Sequence, residues 1–269
     1  MSAISLAFSP CPNDTFIFDA LVHGKIDTEG LIFEFRMEDV ETLNQLAFQG
    51  SADMIKVSYH AFLYLSDRYH LLDSGSALGS GNGPVLISKE PYALDDLSRL
   101  TIAIPGEYTT AHLLLKIAAP FAVHKKIMAF DRIEDSILNG TVDAGVIIHE
   151  NRFTYEGKGL TRIADLGEYW ENLVHCPVPL GGILAKKSLG RETLGKLNRV
   201  MKKSVAFAMK DPGQAMGFVR CNAREMDEEV MKKHIHLYVN EFTLDLGTAG
   251  KNAVDRLFGM AKERGLVKS

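Results

Sequence analysis

The chain has 269 residues, 46% hydrophobic and 24% charged, with a formal net charge of −4 and a sequence pI near 6.1. That composition suits a globular protein with room for one large domain or two lobes. It carries no basic block that would mark nucleic acid or an anionic membrane surface as a partner, and no apolar run approaches the roughly 20 residues of a membrane helix.

The chain opens on Ile4–Phe8, which reads as a strand, followed by Ser9-Pro10-Cys11-Pro12-Asn13-Asp14-Thr15-Phe16. Pro10 and Pro12 fix φ and lack N–H groups, so this turn is stiff and cannot join a ladder. Asn13, Asp14 and Thr15 are all residue types that cap helices, and Thr15–His23 is expected to be helical. A rigid turn with helix-start N–H groups at a strand's carboxyl end is where open α/β folds bind small polar ligands. The opening residues have neither the basic stretch nor the long apolar core of a secretory signal. The three cysteines, Cys11, Cys176 and Cys221, are widely spaced and form no CxxC, against a disulfide framework or a zinc site. A reducing cytoplasm is the expected compartment.

Leu31–Met37 alternates as a strand, Val40–Gln49 reads as a helix ended by Gly50, and Met54–Ser58 is a short apolar strand. This β-α-β-α-β order implies a mostly parallel sheet flanked by helices. The order recurs with a strand at Leu100–Ile104, a turn at Pro105–Thr110 and a helix at Ala111–Ala119. A strand at Lys126–Phe130, a helix at Ile133–Asn139 and a strand at Ala144–Ile148 complete it. Residues 5–16 line up with 101–112, and 48–58 with 138–148, where Gly50 and Asp53 fall on Gly140 and Asp143. This points to two lobes of similar build. A glycine-rich link, Gly75–Pro84, runs into the apolar strand Val85–Ser88, and a return crossing is expected at Pro179–Ala185. From Arg191 on, Leu194, Leu197, Val200, Met201, Val205 and Ala208 form a helical stripe. Further helices near Asp227–Asn240 and Gly247–Arg264 are expected to close the first lobe.

The expected class is therefore α/β: a bilobed, periplasmic-binding-protein-like (type II) fold with two mixed, mostly parallel sheets flanked by helices. Lobe 1 is assigned residues 1–88 and 182–269, and lobe 2 residues 89–181. The ligand is expected in a cleft between the lobes, at the carboxyl ends of the strands. Gly79–Gly83 and Gly181-Gly182 are the hinge candidates.

Gly106–Thr110 has the strand-turn-helix context of an anion site, with Thr109 and Thr110 as hydroxyls, but it matches no phosphate-loop pattern. Lys56 interrupts an apolar strand, either snorkelling to solvent, pairing with a carboxylate, or anchoring a ligand carboxylate. His149 ends the apolar run 144–148, opposite Tyr59 in the internal alignment, and both are expected to emerge at strand ends toward the cleft. A histidine there is either satisfied by a backbone carbonyl or acts as a neutral base near pH 7. The other histidines show no metal spacing, and Cys11 is read as structural or ligand-lining.

Taken together, SPCPNDTF at 9–16, KVSYHA at 56–61, GxxTTA at 106–111 and IIHE at 147–150 resemble the 1,4-dihydroxy-6-naphthoate synthase family of the futalosine route to menaquinone. The resemblance runs the whole chain, and the opening motif is its most specific part. It implies a carbon–carbon lyase that converts cyclic dehypoxanthinyl futalosine to 1,4-dihydroxy-6-naphthoate, with no metal and no organic cofactor. It implies His149 as general base and Lys56, Val57, Ser58, Thr109 and Thr110 as substrate contacts, with Asn13 and Asn82 counted among the substrate-binding candidates. The expected partner is the small-molecule substrate, with neither nucleic acid nor membrane; the sequence does not give the oligomeric state. Two alternatives are the chorismate dehydratase of the same pathway and a small-molecule solute-binding protein.

Overall fold

The computed structural model describes residues 3–223 and 227–267. The chain begins with β1 (Ile4–Phe8), α1 (Pro12–Val22), β2 (Phe33–Met37), α2 (Val40–Gln49), β3 (Met54–Ser58), α3 (Tyr59–Phe62), β4 (Tyr69–Leu71) and β5 (Ala77–Gly79). It continues through β6 (Val85–Ser88), β7 (Ile102–Ile104), α4 (Thr110–Ala118), β8 (Lys125–Ile127), α5 (Ile133–Leu138), β9 (Ala144–Ile147), β10 (Thr161–Asp165) and α6 (Leu166–Val174). It ends with β11 (Val178–Lys186), α7 (Gly190–Lys210), α8 (Met216–Asn222), α9 (Glu228–Tyr238), α10 (Glu241–Leu244) and α11 (Gly247–Glu263).

The contacts divide the chain into two units. Unit 1 takes residues up to Gly79 and Pro179–Asn252; unit 2 takes Ser80–Val178 and the chain from Ala253 on. Unit 1 holds a sheet of order β2-β1-β3-β11-β4, with β5 also paired to β11. β1 runs parallel to β2 and β3, whereas β11 runs antiparallel to β3 and β4. Unit 2 holds the order β10-β6-β9-β7-β8, parallel across β9-β7-β8 and antiparallel where β6 enters. The antiparallel pairs come from β6 and β11, the strands that come after the crossings.

Three boundaries differ from the sequence expectation. Residues 85–88 pair with β9 and β10, so they go with the second unit. Residues 179–181 lie in β11 and go with the first. Most of α11 and the tail beyond it go with unit 2. Arg264 donates to the Ile117 carbonyl at 2.7 Å and the Lys116 ammonium to the Leu266 carbonyl at 3.4 Å, which docks this tail on the end of α4.

Local chemistry explains the elements that carry the site. Cys11 precedes a proline and is therefore held extended (ψ 148), the backbone an N-cap needs, so Pro12 takes the first helical position. α1 thus starts three residues before the expected Thr15. It is buried nearly all round, ten of its eleven residues including the polar Asn13, Asp14, Thr15 and Asp19, and its apolar residues pack against the sheet of unit 1 and α7. In unit 2, Asp165 caps α6 through the N–H groups of Gly167 and Glu168, and Ile87, Ala103, Ile133, Ile137 and Ile147 form the core under β9. Gly181 and Gly182, expected at a hinge, lie in the β3–β11 ladder opposite Ser58 and Val57. A Cβ on Gly181 would stand 2.7 Å from the Val57 carbonyl oxygen, so glycine serves close strand packing there.

Candidate active site

In unit 1 the parallel neighbours β1 and β3 release their carboxyl ends side by side, so the Ser9 turn and Ser58 leave the same sheet edge. Asp14, 1% exposed, gathers this region. Its Oδ2 accepts from the Ser9 hydroxyl at 2.7 Å and the Ser9 N–H at 3.3 Å; its Oδ1 accepts from Asn13 Nδ2 and Lys56 Nζ, both at 2.9 Å. Lys56 is 7% exposed and also reaches the Gly75 carbonyl at 3.3 Å. Of the roles open to Lys56, pairing with a carboxylate is the one observed, and that carboxylate belongs to the opening motif. Asn13 continues the chain of bonds: its Oδ1 lies 2.9 Å from Nε2 of the fully buried His234. Because the Asn13 nitrogen is committed to a carboxylate, which only accepts, its oxygen faces His234 and Nε2 carries the proton.

Ser58 belongs to a second pair. Its N–H donates to Asn44 Oδ1 at 2.9 Å and its hydroxyl accepts from Asn44 Nδ2 at 3.2 Å. Val57 is buried in the ladder. Tyr59 does not emerge at a surface: it is fully buried, its hydroxyl lies 2.5 Å from Ser76 Oγ, and burial holds its pKa well above the usual phenol value. The internal alignment matched positions along the chain, and burial obeys the local core instead.

In unit 2, β7 and β9 are adjacent and parallel, and Val85 of β6 sits opposite Ile147 of β9. The Gly106–Thr110 turn, His149 and the Asn82–Pro84 stretch therefore lie at one edge of this sheet. Thr109 is the N-cap of α4: its hydroxyl accepts from the His112 N–H at 3.3 Å and donates to the Gly106 carbonyl at 2.9 Å. Thr109, Thr110 and Asn82 are all buried. His112 Nδ1 donates to the Glu107 carbonyl at 2.8 Å, and burial pushes the imidazole pKa down to about 4, so it is neutral at pH 7.

His149 comes directly after β9 and Ile148, is half-buried, and opens a 3-10 turn, His149–Phe153. Its φ is +59. Left-handed backbone costs a non-glycine residue roughly 1–2 kcal/mol, and such strain persists where the surroundings over-determine it, often at functional sites. The Phe130 ring meets the imidazole edge-on, with centroids 5.0 Å apart at 69°. The turn is pinned beyond His149. Asn151 Nδ2 donates to Glu134 Oε2 at 2.6 Å, and Arg152 donates to the Gly83 carbonyl and, at 3.1 Å, to the Asp165 carboxylate.

The predicted residues thus form two groups. Asn13 and Lys56 meet at Asp14 in unit 1, with Ser58 at the same sheet edge; Thr109, Thr110, Asn82 and His149 share an edge in unit 2. Sequence reasoning missed Glu134, Asn151, Arg152 and His234, which act over long separations with no local pattern. Asp14 was read as a possible cap and is instead the anchor of Lys56. Among the described residues, no group of three or more His, Cys, Asp or Glu is arranged to hold a metal ion, and no helix is long and apolar enough to cross a membrane.

Residues 4–263 match a family model described as menaquinone biosynthesis. A 1,4-dihydroxy-6-naphthoate synthase of Thermus thermophilus is 46% identical over 267 residues, covering 99% of this chain and 97% of that protein. One from Streptomyces coelicolor is 42% identical over 269 residues, covering 98% and 94%. A crystal structure of an Archaeoglobus fulgidus protein superposes with a TM-score of 0.93 at 38% identity, over 98% of both chains. The periplasmic aliphatic sulphonate-binding protein of Escherichia coli superposes with a TM-score of 0.68 at 11% identity, over 99% of this chain and 89% of that one, a likeness of fold alone.

Proposed function

This chain belongs to the menaquinone-biosynthesis family of 1,4-dihydroxy-6-naphthoate synthases, and from that premise we propose that it converts cyclic dehypoxanthinyl futalosine to the naphthoate as a carbon–carbon lyase. The observation that carries the reading is His149: a half-buried imidazole held in left-handed backbone at the carboxyl end of β9, with its ring against Phe130 and its turn pinned on the far side. A histidine so placed suits general-base work, since a neutral imidazole accepts a proton near pH 7.

In the proposed step, His149 takes a proton from the cyclic substrate. The electron pair left behind forms the new ring double bond, the bond to the sugar-derived fragment breaks with its pair going to that fragment, which takes up the proton held by His149 as it leaves, and the ring system aromatises. Aromatisation supplies driving force, so the protein's task is to position and deprotonate. Thr109, Thr110 and Asn82 in unit 2, and Asn13, Lys56, Val57 and Ser58 in unit 1, are the proposed substrate contacts. Lys56 keeps the one ammonium proton not given to Asp14 and Gly75, so pairing with Asp14 is compatible with a ligand contact. The expected setting is the cytoplasm.

The test is incubation of the purified protein with cyclic dehypoxanthinyl futalosine and, separately, with chorismate, with naphthoate absorbance and product chromatography as readouts. Naphthoate from the first substrate alone supports the proposal. Dehydration of chorismate, or binding without turnover of either compound, overturns it.

A further inference from the structure

Building on the reading of His149 as the base, we propose that Glu134 is a positioning residue for it, acting through Asn151. One stretch of chain supplies two constraints on the same turn. Phe130 meets the His149 ring edge-on. Glu134, four residues on in the first turn of α5, reaches the segment that His149 opens. Glu134 is 3% exposed, and its Oε2 accepts from Asn151 Nδ2 at 2.6 Å and from Lys158 Nζ at 2.7 Å.

A carboxylate accepts and cannot donate, so this bond fixes which end of the Asn151 amide faces Glu134. Asn151 is also tied to the chain after it: its backbone carbonyl accepts the N–H groups of Thr154 and Tyr155, both at 3.1 Å. A displaced Asn151 therefore carries the turn with it. Arg152, the residue after Asn151, is itself anchored to the Gly83 carbonyl and the Asp165 carboxylate. His149 is thus held in left-handed backbone between β9 on one side and two anchored residues on the other. The Lys158 side chain is 48% exposed, so its pair with Glu134 is screened; the shorter, part-buried amide bond at 2.6 Å carries the constraint. Proton transfer depends steeply on placement, and a misplacement of about 1 Å costs roughly a hundredfold in rate.

The test uses purified full-length Glu134→Ala, Asn151→Ala, the double variant and Glu134→Gln, with His149→Asn beside them and cyclic dehypoxanthinyl futalosine as substrate. Glu134→Ala and Asn151→Ala should each lower kcat by about tenfold to a hundredfold with KM held within about threefold. The double variant should be no slower than the slower single one, because both remove the same bond. Glu134→Gln, whose side-chain oxygen still accepts from Asn151, should recover most of the kcat lost in Glu134→Ala. Melting temperatures on the same samples separate this from lost stability, because a smaller folded fraction would also lower apparent kcat at unchanged KM but would show as a lowered transition. If Glu134→Ala does not fold, Asn151→Ala, at a partly exposed position, and Glu134→Gln carry the comparison. Wild-type kcat in Asn151→Ala, or losses that multiply in the double variant, overturn the inference. An active His149→Asn would instead refute the base itself, while an inactive His149→Asn beside an unaffected Asn151→Ala would refute the positioning role alone.

Discussion

Replacing Asp14 with Asn should destabilise unit 1 more than replacing Lys56 with Met. Asp14 and Lys56 are 1% and 7% exposed and bond at 2.9 Å. Removing one member of a buried pair leaves an uncompensated charge, at about 3–5 kcal/mol. The two removals are not equivalent. Without Lys56, Asp14 keeps the Ser9 N–H, the Ser9 hydroxyl and the Asn13 amide as donors. Without the Asp14 carboxylate, Lys56 keeps the Gly75 carbonyl at 3.3 Å and whatever the new amide oxygen offers. Asp14→Asn should therefore fall in the 3–5 kcal/mol range, roughly 6–20 °C in Tm for a chain of this size, with Lys56→Met about half as costly. The double variant should regain part of the loss, since a neutral pair leaves no buried charge. Thermal and urea unfolding of the three variants would measure this. The reasoning fails if Asp14→Asn melts within about 1 °C of wild type, or if the single effects simply add.

Three further outcomes rest on the local geometry. The folded-state pKa of His112, about 4, lies below the unfolded value of 6.5, so the folded state binds fewer protons. Stability should be full above pH 6.5 and fall as the pH drops toward 4, by about 1.4 kcal/mol per unit and about 3 kcal/mol in all. His112→Gln should remove that part of the acid sensitivity when unfolding is measured from pH 7 to 4. Thr109→Val removes the α4 cap and the bond to Gly106, and should cost about 1 kcal/mol of stability in denaturant titrations. Gly181→Ala would place a Cβ 2.7 Å from the Val57 carbonyl oxygen. Backbone cannot yield there as a side chain would, so a loss of about 1–3 kcal/mol is expected, read by differential scanning calorimetry.

The parts of the fold visible in the sequence were those set by short-range rules. The two prolines of the opening turn located the β1–α1 junction, Gly50 and Gly140 closed helical segments, and the apolar runs gave β1, β3, β6 and β9. The region after His149 had no such signal: β10 and α6 come after a polar stretch with glycines at 157 and 159 and no clear period. Within the candidate site, the strand-end positions of His149 and Thr109 were legible because open α/β sheets put function there. Their supports were not. Asp14 finds Lys56 across 42 residues, Glu134 finds Asn151 across 17, and Asn13 finds His234 across 221. Pairings at that distance depend on strand order, which local pattern does not encode. The positive φ of His149 was also hidden, since left-handed backbone is usually announced by glycine.

The proposed chemistry turns on His149, and Asn is the informative replacement because it tolerates left-handed backbone better than most residues. Turnover of cyclic dehypoxanthinyl futalosine by His149→Asn, measured beside substrate binding by calorimetry, is the direct test. A general base at this position predicts a variant that folds and binds substrate but loses about a hundredfold to ten-thousandfold in kcat, the usual contribution of such a group. Binding with near-wild-type turnover would contradict it.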